Sequence, residues 1–406
     1  MKKLLIIADG MADKRYEELG GLSPIEAAFT PFLDSLALKG TVASARTVPE
    51  GLSPGSDVAI MSIFGVDPIL NYTGRAPLEL ANLGMKVKPG GAAFRCNLCT
   101  LEGEDEFKLK TMLSHSAGSI EGSDADALLE FLNSHPSFKE LLGKYGMSLI
   151  PTGSFRGLAV MDKADLSGLN LFPPHDNLGA KVGQILPCGA PLAATLSEII
   201  EASNKFLSEH PLNKERTENG KLSANAIWFW AEGKGGDLPS FTEKYSEGAV
   251  ISAVPLVSGI AELIGLEKVS IPTATGEWDT DYAAKTRAAI ALLEKYDFVG
   301  VHLEGPDEAS HNFDLGHKVF SLECISELCL RPVVNALKER GEDFRLLFIS
   351  DHYTYTDTGA HGGKDVPYLL YDSRVDTGNC KLLSEENADK NNTGSALKLM
   401  DMLFSD

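Results

Sequence analysis

The sequence has few cysteines, and they are not spaced like a disulfide framework or a zinc knuckle. Six occur among 406 residues. Cys96 and Cys99 form a Cys-x-x-Cys pair that no second pair accompanies. Scattered thiols of this kind are typical of a reducing compartment. The pattern predicts buried, unpaired cysteines and favours a cytoplasmic protein.

Long apolar runs are also lacking. Residues 4–8, which follow Lys2 and Lys3, are too few for the apolar part of a signal peptide, and Asp9 ends them. The most apolar later stretch, 249–266, is interrupted by serine, proline, glycine and glutamate. It therefore does not predict a membrane span, and we expect no membrane contact.

Positive charge is scarce. The chain has 37 basic against 57 acidic residues, which gives a formal charge of −20. This balance argues against a nucleic-acid groove or an anionic membrane surface. If the substrate is a small anion, its site must gather local arginine, lysine and metal charge.

What the sequence does contain is an alternation of short apolar runs and helical patterns, which predicts the α/β class. Its length predicts two or three domains. The pattern changes after Pro89-Gly90-Gly91, where short strand-like runs and helical patterns are mixed, and the earlier pattern resumes at Ala249. We therefore expect a core formed by residues 1–85 and 248–406, with a second α/β domain at 86–247 inserted into it.

Three runs with the character of buried strands, 4–8, 298–303 and 345–349, are each followed by metal-binding residue types. The carboxyl ends of parallel strands lie along one edge of a sheet, where open α/β sheets hold their active sites. Carboxylate oxygen and imidazole nitrogen together suit zinc or manganese. The residues concerned are Asp9, Asp307, His311, Asp351, His352 and, in a Gly-rich segment nine residues later, His361.

Each motif alone has a simpler interpretation. Asp9 fits a plain turn, Asp351-His352 a surface loop or helix cap, and the pair Asp307 and His311 a solvated loop with a capped helix. The metal interpretation depends on their recurrence at strand ends.

Ser56 follows a Pro54-Gly55 turn and precedes an amphipathic run, which predicts that it lies at the first turn of a helix. Free N–H groups and the helix dipole favour an anion there, although a serine in this place is often only an N-cap. With Ser56 the candidate ligands number seven, which is about right for two ions. Two cations can activate a serine and neutralise a phosphoryl or sulfuryl group.

Further polar candidates are scattered. Arg75 stands at another helix start, and Lys318 stands in a first helical turn, where the dipole disfavours a cation. Arg75 has a simpler interpretation as an exposed arginine, whereas the unfavourable position of Lys318 indicates a task for it. The remaining candidates are Lys285 and, in the inserted segment, Arg95, His115, Arg156 and Asp176.

Together these motifs carry a resemblance. Asp9-Gly, Pro54-Gly-Ser56-Asp-Val-Ala, Gly305-Pro-Asp307-Glu-Ala-Ser-His311, Ser350-Asp351-His352 and His361-Gly-Gly look like the metal and nucleophile motifs of the alkaline phosphatase superfamily. Along its length the chain resembles the archaeal-type cofactor-independent phosphoglycerate mutases. The further matching motifs are Tyr72-Thr-Gly-Arg-Ala-Pro-Leu-Glu79, Thr275-Gly276-Glu, Asp279-Thr-Asp-Tyr-Ala-Ala-Lys285 and Lys318-Val.

The resemblance implies a three-layer, doubly wound, alkaline-phosphatase-like core with a smaller inserted phosphotransfer domain. It also implies two divalent ions, manganese, zinc or magnesium, and no 2,3-bisphosphoglycerate. By position, one ion is held by Asp9, Ser56, Asp351 and His352, and the other by Asp307, His311 and His361.

The implied reaction belongs to glycolysis and gluconeogenesis. Ser56 takes the phosphoryl group of 3-phosphoglycerate and returns it to the 2-hydroxyl of the reoriented glycerate. The implied phosphoryl contacts are Arg75, Lys285 and Lys318, and the implied glycerate contacts are Arg95, His115, Arg156 and Asp176.

Two alternatives remain at this stage. A phosphomonoester or phosphonate hydrolase of the same superfamily shares every metal ligand. The second alternative is a metal-binding regulatory or structural protein without turnover. The candidate nucleophile Ser56 argues against it, because a binding site has no need of a nucleophilic serine.

Overall fold

The computed structural model describes residues 1–405. It divides the chain into two compact units. The core unit comprises Met1–Tyr72 together with the chain from Leu238 onward, and the inserted unit comprises Thr73–Asp237.

The strands, numbered along the chain, are β1 Lys2–Ala8, β2 Thr41–Arg46, β3 Ala92–Glu102, β4 Thr111–Ser114, β5 Met147–Ile150, β6 Arg156–Met161, β7 Ala226–Lys234, β8 Gly248–Ile251, β9 Glu267–Val269, β10 Phe298–Leu303, β11 Phe344–Ile349, β12 Tyr353–Tyr355, β13 Ala360–Gly362, β14 Val366–Asp372 and β15 Asn392–Ser395.

The α-helices are α1 Pro24–Ala27, α2 Pro31–Ala37, α3 Ser56–Ile63, α4 Pro68–Asn71, α5 Arg75–Asn82, α6 Gly122–Ser134, α7 Pro136–Lys144, α8 Val182–Ile185, α9 Pro191–Ser208, α10 Pro211–Glu218, α11 Phe241–Lys244, α12 Pro255–Leu263, α13 Tyr282–Lys295, α14 Gly305–His311, α15 Leu315–Cys324, α16 Arg331–Glu339, α17 Glu385–Asp389 and α18 Leu399–Phe404. A π-helical stretch, Ile325–Leu330, joins α15 to α16.

The core unit is built on an eight-stranded sheet in the order β15-β2-β14-β11-β1-β10-β8-β9. Strand β14 runs antiparallel to both of its neighbours, and the other neighbouring pairs are parallel. Ile7 of β1 is in register with His302 of β10 and Ile349 of β11. The carboxyl ends of these three central strands therefore reach the same edge of the sheet.

Helices cover both faces of this sheet. On one face, Leu4 and Ile6 of β1 belong to an apolar cluster with side chains of α2, α13 and α16. On the other face, the ring of Phe298 lies 6.4 Å from that of Phe64, which follows α3, and 5.8 Å from that of Phe404 in α18. Burial on both faces explains the continuous apolar runs of the central strands, and the predicted three-layer α/β core is confirmed.

The inserted unit has its own antiparallel sheet, in which β3 pairs with β4, β6 and β7, and β6 also pairs with β5. Its apolar core joins Phe94 and Trp228 of this sheet to Leu128 of α6, Phe138 of α7 and Leu196 of α9.

The boundaries of the units differ from the expected residues 86 and 247. The chain enters the inserted unit after Tyr72 and leaves it after Asp237. The reason is that α5 packs on the inserted sheet, where Ala76 and Leu80 are buried against Ala93 of β3. The sequence signal of the Pro-Gly-Gly break marks only the loop that follows α5.

The two ends of the inserted unit meet at β7. The Thr73 hydroxyl donates to the Lys234 carbonyl at 2.7 Å. Gly74 has a φ of 140°, and a Cβ there would lie 1.8 Å from the Glu232 carbonyl oxygen. Only glycine fits this position, because any side chain would collide with the β7 backbone.

The cysteines of the described chain are all free thiols. Cys188 and Cys380 are exposed, which corrects the expectation of general burial, and the other four are buried or nearly so. Within residues 1–405, no helix combines the length and the apolar character that crossing a membrane requires.

Candidate functional site

The structure brings the strand-end residues of the core unit together. Asp9 follows β1 directly, and Asp351 and His352 follow β11 by two and three residues. Asp307 lies in the first turn of α14, just beyond β10. We call the set Asp9, Ser56, Asp307, His311, Asp351, His352 and His361 the ligand cluster.

The first part of the ligand cluster surrounds His352, which is fully buried. Its Nε2 atom lies 3.2 Å from the Ser56 hydroxyl oxygen, 3.3 Å from Asp351 Oδ2 and 3.6 Å from Asp9 Oδ1. Ser56 is the first residue of α3, as predicted.

The second part surrounds Asp307. Its Oδ2 lies 3.2 Å from His311 Nε2, and its Oδ1 lies 3.5 Å from His361 Nε2. These two imidazole nitrogens are 3.0 Å apart. Asp307 and His311 are one helical turn apart on α14, so both project to the same side.

The cluster fits a cation. Asp9 Oδ1 and Asp351 Oδ2 are buried carboxylate oxygens without a hydrogen-bond partner among the described residues. Buried polar atoms are normally paired, and two such atoms facing one imidazole nitrogen form a set of lone pairs aimed at one place. Oxygen and imidazole donors of this kind suit zinc or manganese.

The electrostatics agree with this view. Burial, followed by the charges of Asp351 and Asp307, raises the pKa of Asp9 well above its usual value. Burial lowers the pKa of His352, which favours the neutral imidazole that a metal requires. Burial opposes ionisation of Asp307, but hydrogen bonds from His311 and His361 outweigh it and lower the pKa of that carboxyl.

The division of ligands between two ions is less clear-cut than the resemblance implies. Asp307 groups with His311 and His361, and ligand atoms of Asp9, Asp307 and His352 also lie within 4.8 Å of one another. Asp307 therefore stands between the two sets of ligands.

Two residues missed in the sequence position Asp9, His302 by direct contact and Glu304 through His302. His302 Nε2 lies 2.9 Å from Asp9 Oδ2, and its Nδ1 lies 2.8 Å from Glu304 Oε1. Burial opposes protonation of His302, but Glu304 and Asp9 outweigh it and raise the pKa of the imidazole to about 10. His302 was hidden within an apolar strand pattern, where its buried neighbours gave no sign of a polar network.

The two predicted phosphoryl-binding lysines are fully buried in ion pairs. Lys285 Nζ donates to Glu304 at 3.2 Å and to the His302 carbonyl at 3.0 Å. Lys318 Nζ donates to Asp13 at 2.8 Å. This geometry does not support the expectation that they contact phosphoryl oxygens directly. Instead, both ammonium groups brace the backbone and side chains behind the ligand cluster.

The inserted unit has a cluster of opposite character around Arg95. The guanidinium group of Arg95 forms two hydrogen bonds with the buried Glu79 carboxylate, one of them at 2.9 Å. Arg75 donates to the same carboxylate at 3.0 Å. One acid thus serves two arginines.

The other predicted residues of the inserted unit lie near Arg95. The guanidinium of Arg95 lies 4.7 Å from the centre of the Trp230 ring, and His175 packs 4.8 Å from the same ring. The rings of His115 and His175 are 6.1 Å apart. We call Arg75, Glu79, Arg95, His115, Arg156, His175, Asp176 and Trp230 the arginine cluster.

The sequence missed Glu79 and Trp230 as members of this cluster, whereas His175 was a polar candidate beside Asp176. Burial, followed by the neighbouring cations, lowers the pKa of His115. Arg156 acts on both His115 and His175 in this way. The cluster thus sets three arginines against the two carboxylates of Glu79 and Asp176, an excess of positive charge that suits an anion.

Comparison with known proteins now bears on the whole chain. The family model described as 2,3-bisphosphoglycerate-independent phosphoglycerate mutase matches residues 37–213. The enzyme of that name from Methanosarcina acetivorans is 38% identical over 99% of this chain and 98% of its own length.

This chain belongs to the 2,3-bisphosphoglycerate-independent phosphoglycerate mutase family.

Other members of the family extend this match. A protein from Methanothermobacter thermautotrophicus, also named 2,3-bisphosphoglycerate-independent phosphoglycerate mutase, is 36% identical over 100% of this chain and 97% of its own length. The solved cofactor-independent phosphoglycerate mutase from Thermoplasma acidophilum is 25% identical, covers 99% of each chain and superposes with a TM-score of 0.64. A solved protein from Pyrococcus horikoshii gives a TM-score of 0.79 at 27% identity, covering 99% of this chain and 96% of its own.

The predicted enzyme class, an isomerase of the 2,3-bisphosphoglycerate-independent phosphoglycerate mutase family, is confirmed. The roles of the individual site residues remain predictions.

Proposed function

We propose that the chain interconverts 3-phosphoglycerate and 2-phosphoglycerate by passing the phosphoryl group through Ser56, without 2,3-bisphosphoglycerate. The observation that carries this proposal is the position of the Ser56 hydroxyl at the start of α3, 3.2 Å from His352 Nε2. Unpartnered carboxylate oxygens of Asp9 and Asp351 complete the surroundings. Family membership supplies the substrate class.

Two divalent ions, manganese, zinc or magnesium, belong to this proposal. Asp9, Ser56, Asp351 and His352 would hold one, and Asp307, His311 and His361 the other, with Asp307 next to both sets. When bound, such ions lower the pKa of a serine hydroxyl and neutralise phosphoryl oxygens.

The chemistry balances with Ser56 as the only covalent partner. Its hydroxyl loses its proton as the oxygen bonds to phosphorus, the bond to the 3-oxygen of glycerate breaks, that oxygen takes up a proton, and a phosphoserine forms. The 2-hydroxyl of the same glycerate then loses its proton and attacks phosphorus, and the serine oxygen leaves and takes up a proton. The first N–H groups and the dipole of α3 favour the phosphoryl charge carried by Ser56. The net result is an isomerisation without release of phosphate.

The remaining assignments rest on the family resemblance and on the charges of the side chains. We assign Arg75 to the phosphoryl oxygens, and Arg95, His115 and Arg156 to the glycerate carboxylate. Asp176 is assigned to a glycerate hydroxyl, for which a carboxylate is an acceptor. Lys285 and Lys318 act through the groups that they brace.

The test is a parallel assay of two products. Protein stripped of metal and reloaded with Mn²⁺ is given 3-phosphoglycerate without 2,3-bisphosphoglycerate, and both 2-phosphoglycerate and inorganic phosphate are measured. We expect 2-phosphoglycerate to accumulate without phosphate. Release of phosphate as the main product would instead identify a phosphomonoester hydrolase.

A further inference from the structure

One hydroxyl group touches both parts of the ligand cluster. Thr354, in β12, is fully buried. Its Oγ1 lies 2.6 Å from Asp307 Oδ1 and 3.1 Å from His352 Nδ1. Thr354 also stands opposite His361 in the β12–β13 pair. A residue outside the predicted set thus contacts or faces a ligand from each part.

The hydrogen-bond chemistry of this contact has only one direction. A hydroxyl has a single proton, and an ionised carboxylate only accepts. The Thr354 hydroxyl donates its proton to Asp307 Oδ1, the shorter of its two contacts. The Thr354 oxygen must then accept a proton from His352 Nδ1. Consequently His352 Nε2 carries the lone pair, and this is the atom that faces Ser56, Asp9 and Asp351.

The threonine is held firmly in place. Its N–H donates to the Ala12 carbonyl at 3.0 Å, and its own carbonyl accepts from Lys318 Nζ at 2.7 Å. Gly10, with a φ of 62°, packs so closely that a Cβ there would lie 2.7 Å from both Thr354 Oγ1 and Asp307 Oδ1. The buried charge of Lys318 thus fixes the backbone of Thr354. This contact gives Lys318 a role that does not involve phosphoryl binding.

We propose that Thr354 is a positioning residue that couples the two metal sites, because its hydroxyl orients Asp307 and fixes His352 with Nδ1 protonated and Nε2 free to bind a cation. This inference rests on the proposed function in that it takes the ligand cluster to hold two ions. It predicts that a substitution of this one uncharged side chain weakens the binding of both ions.

The test compares Thr354→Val, which removes the hydroxyl and keeps the shape, with Thr354→Ser, which keeps the hydroxyl. Titration calorimetry of the metal-free full chain with Mn²⁺ alone is expected to show both affinities weakened roughly 10–100-fold in T354V, the usual effect of losing such a partner. T354S is expected to keep the wild-type affinities. Thr100→Val is the matched control, since this buried strand threonine donates only to the Ser223 carbonyl of the inserted unit.

Loss of affinity for one ion alone, or equal affinities in T354V and T354S, would overturn the proposal that Thr354 couples the two metal sites. A second measurement needs no variant at Thr354, so it holds even if T354V does not fold. Nitrogen-15 NMR of histidine-labelled, metal-free wild type, with His352 assigned through H352N, is expected to show the Nδ1–H tautomer. The Nε2–H tautomer would contradict the proposal.

These readouts are independent of turnover. If the wild-type protein does not isomerise 3-phosphoglycerate but T354V binds both ions more weakly, the proposed function is refuted and the positioning role of Thr354 is supported. If the wild-type protein isomerises 3-phosphoglycerate but T354V binds both ions normally, the positioning role is refuted and the proposed function is supported.

Discussion

The ligand cluster of the core unit and the arginine cluster of the inserted unit are built in opposite ways. The first gathers three carboxylates and three imidazoles, and two of its oxygens have no partner among the described residues. The second sets Arg75 and Arg95 against the single carboxylate of Glu79, and Arg156 adds a further positive charge. One cluster has an excess of lone pairs and the other an excess of cations. In a chain of charge −20, this separation supports our proposal that metal ions complete the first cluster and an anionic ligand the second.

The largest expected effect comes from the nucleophile of the core unit. Ser56→Ala removes the atom that receives the phosphoryl group, so mutase activity is expected to fall on the order of 10⁴-fold or more. Metal content, measured by elemental analysis, is expected to stay close to that of wild type. Ser53→Ala, three residues earlier on the same loop, is the control and should remain active. Activity retained in S56A would refute the covalent route, and loss of metal would make Ser56 chiefly a ligand.

The next effect separates the two clusters by their need for metal. Removing the ions with a chelator is expected to lower the free energy of unfolding by about 2.7 kcal/mol for each ion present at 100 times its Kd. The measurement is urea unfolding with and without Mn²⁺. Asp351→Asn removes a ligand and should respond much less to the chelator. An equal response in D351N would place the stabilising ions elsewhere.

The arginine cluster is expected to respond to loss of its single shared acid. Glu79→Gln keeps the size of the side chain but leaves the buried Arg95 without its counter-charge. We expect the free energy of unfolding to fall by about 3 kcal/mol, which is typical when one partner of a buried ion pair is removed. Glu130→Gln, an exposed position on α6, is the control and should change stability little.

The effect of E79Q also has a predicted pH dependence. Burial opposes ionisation of Glu79, but Arg95 and then Arg75 outweigh it, so the pKa of this carboxyl lies below its usual 4.5. A lowered pKa stabilises the fold above the usual value, and that contribution is lost as pH falls through the folded-state pKa. The difference between wild type and E79Q should therefore be full at pH 7 and shrink below 4.5. A difference that does not change with pH would mean that packing, and not charge, stabilises this cluster.

The smallest effect concerns the aromatic support of the arginine cluster. Trp230 Nε1 donates to Asn97 Oδ1 at 2.9 Å, and Asn97 in turn donates to the His115 carbonyl. Trp230→Phe keeps a ring beneath Arg95 and removes this hydrogen bond, at an expected cost of about 1 kcal/mol in unfolding free energy. Denaturant unfolding measures it. A loss as large as that of E79Q would show that the aromatic network matters as much as the ion pairs.

The sequence predicted the parts of this structure that depend on local pattern. A buried strand requires a continuous apolar run, and the residue after the run is carried to the sheet edge, so Asp9 was found without a structure. Ser56 was placed correctly because a Pro-Gly turn before an amphipathic run is a local signal for a helix start. The metal-binding residue types recur at such ends, which is why the ligand cluster could be assembled from one sequence.

The missing parts depend on partners that are distant along the chain. Lys318 looked like a free cation in a first helical turn, but its partner Asp13 lies 305 residues away. Thr354 carries no signal of its own, since its role arises from two contacts in three dimensions. The boundary near residue 72 was missed for the same reason, because α5 joins the inserted unit through packing on β3 and β7.

The contacts of Thr73 and Gly74 with β7 bring the beginning of the inserted unit close to its end. When the two ends of a segment are neighbours, the segment can be replaced in the chain by a short peptide linker and expressed as a separate polypeptide. Thr73–Asp237 is such a segment, so the proposed anion binding and the proposed metal binding can be tested on separate pieces of this chain.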